Sequence, residues 1–381
     1  MTTFFVCGDI LNYSQPEGNI CSAEMENIIT SADYAVCNFE APISGYGKPQ
    51  QKSGKHHFTR PETIEGLKKH GFNLLLMANN HIMDYGTEAM KATMDRAQKY
   101  QLDTLGAGIT AEEAYKPLIK EIKGIKFGMI NACEAQFGVI DYFNRPNKAG
   151  YAWINHHLID QNIINIRKEC DFVIVFSHAG LENYYIPQKE WRSRYKHFCD
   201  LGADLVVGAH PHVPQGYEKY NKSLIFYSLG NFYFDSKKYI DKEDHSYALW
   251  LKFSKLNTPS FEPIYHLKKR KKVLICPPDN GVDLDKLNSL LETNYSYVCD
   301  KMNLEAFKSI KKNLTFSLMP IPYDGQFKST VRRILNNLIG KAKQNKKELL
   351  LLHILRNESY YYAAKHALEV ISREKYFQKN E

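Results

Sequence analysis

The sequence predicts an α/β protein over residues 1–255, a strand-containing linker at 256–282 and a helical C-terminal region at 283–381. Three observations lead there. Short apolar runs rich in β-branched and aromatic residues alternate with segments of helical periodicity, the pattern of strand–helix units. Several of those runs end on a group that can bind metal or move a proton. After residue 256 the texture changes: breaks at Asn257-Thr258-Pro259 and at Cys276-Pro277-Pro278 enclose one or two further strands. Beyond 283, polar sequence with apolar residues at helical spacing takes over in 329–339, 348–355 and 360–371.

Strands are expected at 3–7, 33–37, 73–78, 102–106, 126–131, 171–176, 203–207, 223–228 and 246–253, and helices at 21–31, 61–70, 87–100, 157–169 and 188–201. Thr87 suits the N-cap of the third helix, and Gly71 and Gly202 stand where C-terminal caps belong. Residues 41–60 lack periodicity and contain Gly45, Gly47, Pro49 and Gly54, which reads as a long loop of the kind that is often functional.

Composition narrows the class. Met1 runs almost directly into the first strand, with no basic segment followed by a long apolar one, so no signal peptide is expected. No apolar stretch is long enough to span a bilayer, and a cytoplasmic protein is the expectation. The eight cysteines are scattered without a C-x-x-C pair, as reduced, buried thiols would be. The net charge of +8 is concentrated in Lys268-Lys269-Arg270-Lys271-Lys272 and in 341–347. It reads as a solvated lysine-rich surface or as attraction for a polyanion. A dinucleotide fingerprint, a phosphate-binding P-loop and a Gly-x-Ser-x-Gly elbow are all missing, which sets aside those enzyme classes.

The chemistry lies at the strand ends, where open α/β sheets build their sites. His210-Pro211-His212 closes the run Leu205-Val206-Val207-Gly208-Ala209 and offers two imidazoles one residue apart, with proline stiffening the turn. Asp9 follows Gly8 at the end of the first strand. Asn38 and Glu40 share a face around Phe39 and suit a metal bridge or a substrate clamp. In Asn79-Asn80-His81, an amide oxygen can ligate metal, His81 can donate a proton to a leaving group, and Asp84 can orient that imidazole. His178 ends another apolar run, with Glu182 nearby as support or ligand. Asn231, in a tight turn, can meet substrate or hold a ligand in place; His56, His57 and Arg60 in the long loop are candidate substrate-facing groups. Mixed histidine, amide and carboxylate ligation suits Mn, Fe or Zn.

These motifs resemble the CapA family, the poly-γ-glutamate capsule synthesis proteins of the metallo-dependent phosphatase-like superfamily. The matching text is Gly8-Asp9-Ile10, Asn38-Phe39-Glu40-Ala41-Pro42, the run from Ala78 to Gly86, Ser177-His178-Ala179-Gly180-Leu181-Glu182, Gly208-Ala209-His210-Pro211-His212 and Tyr227-Ser228-Leu229-Gly230-Asn231-Phe232. The resemblance implies a four-layer αββα sandwich with a two-metal site at the strand ends. By position it implies Asp9, Glu40, Asn80, His178, His210 and His212 as metal ligands and His81 as the acid. It also implies an anionic polymer or phosphoester substrate, with other capsule or envelope biosynthesis proteins as partners. The chain departs from the pattern at Leu11, where the superfamily's first motif usually carries histidine. That departure raises a non-catalytic accessory subunit as the alternative to a hydrolase. A nucleic-acid enzyme rests only on the basic runs.

Overall fold

The computed structural model describes residues 1–143, 147–236, 244–277, 281–318, 331 and 345–380. The chain divides into two compact units, one of residues 1–50 with 56–295 and one of 51–55 with 296–381.

In the first unit, parallel strands β1 (Thr2–Leu11), β2 (Tyr34–Phe39), β3 (Leu74–Leu76) and β4 (Asp103–Leu105) are joined through α1 (Ala23–Ser31), α2 (Glu62–Lys69) and α3 (Gly86–Lys99). Parallel neighbours need such crossovers. After the short β5 (Ala107–Gly108) and α4 (Ala111–Tyr115), the chain forms β6 (Leu118–Ile122), β7 (Ile125–Cys133), β8 (Val139–Ile140) and β9 (Gly150–Ala152). Helix α5 (His157–Arg167) leads to β10 (Phe172–His178) and α6 (Lys189–Asp200) to β11 (Leu205–Ala209). There follow β12 (Tyr217–Tyr220), β13 (Ser223–Phe226), β14 (Asn231–Phe234), β15 (Asp244–Ser254), β16 (Asn257–Lys269), β17 (Lys272–Ile275) and helix α7 (Leu284–Glu292). One sheet has the order β17-β16-β15-β1-β2-β3-β4 with β14 also on β1, the second β12-β13-β11-β10-β7-β6, and a small third β5-β9-β8.

Side-chain alternation on the central strands creates the layers. Phe4, Val6, Val36 and Leu74 of the first sheet pack with Phe127, Met129, Ile174 and Val207 of the second in one core between the sheets. The opposite faces of the same strands, through Phe5, Cys7, Ala35, Cys37 and Leu75, pack with Met25 and Ile29 of α1, Ile64 and Leu67 of α2 and Met90 of α3. On the far side of the second sheet, α5 buries Ile159, Ile163 and Ile166, a single stripe at helical spacing, and α6 buries Trp191, Tyr195 and Phe198. The result is helix, sheet, sheet, helix, the αββα sandwich. Strands buried on both faces read as continuous apolar runs, which is why β1, β2, β7, β10 and β11 were legible.

The one or two strands expected between the breaks at 257–259 and 276–278 are β16 and β17 of the larger sheet, where β16 pairs with β15 along nearly its whole length. Two expectations change. Helix α3 begins at Gly86 with Tyr85 at its N-cap, not at Thr87; the carboxylate just upstream, Asp84, is engaged by His81 and His57 instead of capping the helix. The 268–272 run is not one solvated patch. Lys268 is buried opposite Asp244, and Arg270 and Lys271 take left-handed conformations at the β16–β17 turn. Of the second basic run, 341–344 lie outside the described residues, as do 332–339 of the expected helical pattern. None of the eight cysteines is in a disulfide, and seven of them are buried.

The second unit is carried by α8 (Tyr295–Leu318), α9 (Asn345–Arg356) and α10 (Glu358–Asn380). Among the described residues no helix is long and apolar enough to cross a membrane.

The larger sheet also holds an acid-labile element. His266 on β16 is fully buried, neither ring nitrogen has a hydrogen-bond partner, and burial pushes its pKa down to about 3. The unfolded chain therefore binds this proton near pH 6.5 while the folded chain does not. Stability from this group is complete above pH 6.5 and falls by about 1.4 kcal/mol per pH unit below it, down to the folded value. Denaturant unfolding at pH 7 and 4.5 should show His266→Leu losing about 3 kcal/mol less than wild type on acidification. Identical losses would show that His266 does not set acid stability.

Candidate metal centre

The carboxyl ends of both central sheets open into one crevice, and each strand delivers its polar group there. Register shifts between Cys7 and Asp9 and between Asp9 and Ile10 bend β1 and turn the Asp9 carboxylate into the crevice. Gly8 is required just before it: a Cβ at that position would lie 1.8 Å from the Gly230 carbonyl oxygen. Beyond β11, His210 and His212 both adopt positive φ, 97° and 59°. Such backbone costs on the order of 1–3 kcal/mol per non-glycine residue and persists where the surroundings enforce it, typically at functional sites. Here it turns two imidazoles separated only by Pro211 inward together.

Asp9, Asn38, Glu40, Asn80, His178, His210 and His212 are all buried. Their donor atoms form two overlapping triads, Asp9–Glu40–His212 and Glu40–His178–His210, with the ligand atoms of each within 4.8 Å of one another. Glu40 belongs to both. Its Oε1 lies 3.7 Å from His178 Nε2 and 4.0 Å from His212 Nε2. Asn80 Oδ1 is 3.1 Å from His178 Nε2 and adds a fourth donor to the second group. His210 Nδ1 faces His178 Nε2 at 3.0 Å, so two imidazole nitrogens point at the same spot. The first group gains no fourth donor from position 11, where the Leu11 side chain packs with Ala41 and Phe234.

The electrostatics are those of a cation site. Glu40 Oε1 is a buried carboxylate oxygen that accepts no hydrogen bond, a costly state unless a positive group meets it, and Asp9 Oδ2 faces His212 Nδ1 at 3.2 Å. Burial, and then the Asp9 charge, raise the Glu40 pKa well above its ordinary range. His178 is pushed well below its usual value, first by burial and then by His210. Burial also lowers His210, to about 4. His212 goes the other way: burial opposes its charge, but its contact with Asp9 at 3.2 Å and the nearby Glu40 hold it protonated. Two neutral imidazoles, a third that would give up its proton to an entering cation, and buried carboxylates are a donor set a divalent metal takes. The residues present fit such an ion.

Beside the triads, His81 Nδ1 donates to Asp84 Oδ2 at 2.7 Å, and the His81 side chain is 12% exposed while that of Asp84 is fully buried. The expected substrate-facing residues separate. His57 is brought from the long loop to His81, with ring centroids 4.4 Å apart; its backbone N–H donates to Asp84 Oδ2 at 2.6 Å, and its Nδ1 meets the Tyr13 hydroxyl at 2.5 Å. Glu182 is exposed, yet its charge acts on Glu40, His210 and His212. Asn38 is not placed to meet substrate: its Nδ2 donates to Asp9 Oδ1 at 2.8 Å and Glu40 Oε2 at 3.0 Å, holding the two carboxylates in place. Asn231 is likewise committed, accepting from His212 Nδ1 at 3.0 Å and donating to Asp244 Oδ2 at 2.8 Å. Arg60 pairs with Glu62 at 3.4 Å. His56 meets the Gln50 carbonyl oxygen at 2.7 Å.

Two residues were missed. Glu134 and Gln136, just past β7, are buried beside His210, with Glu134 Oε1 3.6 Å and Gln136 Nε2 3.2 Å from its Nε2. The signal was present, because the apolar run of β7 ends at Cys133 and Glu134 follows. The expected strand stopped at residue 131, two residues short of that tip.

The model of the bacterial capsule synthesis protein PGA_cap family matches residues 3–236, which contain every one of these groups except Asp244. The chain belongs to that family. Within it, the protein is 35% identical over 214 residues to the PGA biosynthesis protein CapA of Bacillus subtilis strain 168, covering 55% of this chain and 56% of that protein. To the capsule biosynthesis protein CapA of Bacillus anthracis it is 32% identical over 215 residues, covering 54% and 52%. The matched region thus spans just over half the length of these relatives. A crystal structure described as a phosphatase from Mycoplasma pneumoniae aligns over 70% of this chain and 94% of its own, at a TM-score of 0.44 and 16% identity.

Proposed function

We propose that this capsule-family protein is a metal-dependent hydrolase of the CapA type, acting in capsule or poly-γ-glutamate biosynthesis on a phosphoester or a γ-glutamyl (acyl) bond. The observation that carries the reading is Glu40 shared between two ligand triads, with the His81–Asp84 pair alongside. Asp9, Glu40 and His212 would hold one ion, and Glu40, Asn80, His178 and His210 the other, with Mn, Fe or Zn suited to the donors. Bound there, the metals would supply a water acidified for attack and polarise a phosphoryl or carbonyl oxygen. The remaining work falls to the chain. Asp84 keeps a proton on His81 Nδ1, orients the ring and stabilises its imidazolium form, which would give its Nε2 proton to a leaving group and return to the neutral Nδ1–H ring. Asn38 holds the Asp9 and Glu40 carboxylates in register. His57 and Glu182 border the site, where an anionic polymer or phosphoester would enter, and other capsule biosynthesis proteins are the partners this reading implies.

Leu11 favours a second reading, an accessory subunit whose incomplete first triad binds without turnover. Metal analysis by mass spectrometry, on protein purified without a metal-affinity tag, separates the two when joined to a screen of phosphoesters and γ-glutamyl polymers. One or two ions per chain together with turnover is the expected result. Bound metal without turnover of any substrate class supports the accessory reading, and no bound metal after incubation with Mn or Zn refutes the hydrolase.

A further inference from the structure

We propose that Glu134 is a positioning residue for metal binding, the acceptor that selects the metal-ligating tautomer of His210. This rests on the metal-centre reading above but not on catalysis. Glu134 bridges three parts of the site. Its backbone N–H donates to the His178 carbonyl oxygen at 3.1 Å, its Oε2 accepts from Gly180 N–H at 3.2 Å, and its Oε1 lies 3.6 Å from His210 Nε2. It is completely buried. Both of its oxygens accept, Oε2 from Gly180 and Oε1 from the Gln136 side chain, which a carboxylate can do and an amide cannot.

The ring chemistry explains the carboxylate. The Gln136 side-chain nitrogen donates to Glu134 Oε1 at 2.6 Å, which fixes the amide orientation and aims the same nitrogen at His210 Nε2, 3.2 Å away. The His178 ring presents Nε2 to the Asn80 amide oxygen at 3.1 Å and Nδ1 to the Asn38 amide nitrogen at 3.2 Å, so its proton lies on Nε2 and His210 Nδ1, 3.0 Å away, is not placed to donate to it. Nδ1 is the His210 atom that faces the ligand group. A ring that ligates through Nδ1 carries its proton on Nε2, where it needs an acceptor. Glu134 Oε1 is the carboxylate oxygen there, and metal-ligating histidines characteristically donate their second N–H to such a group.

The test is Glu134→Gln, which keeps size and the Gly180 acceptor but removes the charge, with Glu134→Asp as the conservative partner. Zn2+ affinity by chelator competition should weaken about 10- to 100-fold in Glu134→Gln and recover in part in Glu134→Asp, with both metal-free variants folded by circular dichroism. Long-range 1H–15N spectra of wild type with Zn2+ bound should show His210 in the Nε2–H form. This arm needs no variant to fold. Equal Zn2+ affinity in wild type and Glu134→Gln, or a His210 that keeps its Nδ1 proton with Zn2+ bound, overturns the role of Glu134 while leaving the metal centre intact. Wild type that binds no Zn2+ overturns both.

Discussion

Glu40→Gln is expected to empty both metal positions at once. Each triad holds two groups of its own, Asp9 with His212 and His178 with His210, and they share only Glu40. Losing a supporting residue outside the ligand set costs about 10- to 100-fold in affinity, so losing the ligand common to both should cost more. The chain should still fold. Asn38 Nδ2, which donates to Glu40 Oε2 at 3.0 Å, finds the same acceptor in glutamine, and a carboxyl group whose pKa burial holds well above its usual range is costly to keep charged at neutral pH. The expectation is therefore a folded protein, by circular dichroism, with no stoichiometric metal by mass spectrometry. His210→Ala should differ, removing a ligand from one triad only and leaving the Asp9–Glu40–His212 group in place. A Glu40→Gln protein that retains the wild-type metal complement would show that the carboxylate bridges nothing.

The second large effect separates chemistry from binding. His81→Ala should lower kcat by about 10²- to 10⁴-fold, the usual contribution of a positioned proton donor, with metal content unchanged. The reason is placement: His81 follows the ligand Asn80 in sequence, but its Nδ1 is given to Asp84 and its side chain reaches the open edge of the site, while the two triads are closed over. Asp84→Asn should act in the same direction with a smaller loss, because the ring remains but its orienting charge does not. Steady-state rates on whichever ester or acyl substrate turns over, run beside metal analysis, check both. A His81→Ala enzyme at wild-type rate removes His81 from the mechanism, and one that has lost its metals moves it into the ligand set.

Much of this site could be read before any coordinates, and the reason is physical. An apolar run that ends on Asp9, Glu40, Asn80, His178 or His210 is a signal contained within a dozen residues, and strands buried on both faces announce themselves by unbroken hydrophobicity. The short elements were not legible by that rule. β12 and β14, four residues each, exist because β13 and β1 offer them edges to pair with, and nothing local marks them. Side-chain roles were less legible still. Asn38 and Asn231 carry the polar groups expected of substrate contacts, yet both amides are taken up by the ligand residues, and Arg60 turns to Glu62. A polar side chain's partner is set by whichever element packs across from it, which local sequence does not encode.

The sequence by itself determined the parallel strand–helix units, the polar group at each strand tip and the family to which those motifs point, because periodicity and strand ends are properties of contiguous residues. Only the tertiary structure decided that the tips of two separate sheets meet in one crevice. That meeting makes Glu40 common to both triads, packs the Leu11 side chain with Ala41 and Phe234, sets Glu134 behind His210 and carries His57 from the long loop to His81. Those facts follow from the stacking of one sheet on the other through Phe4, Val36, Phe127 and Ile174, a contact between residues far apart in the chain.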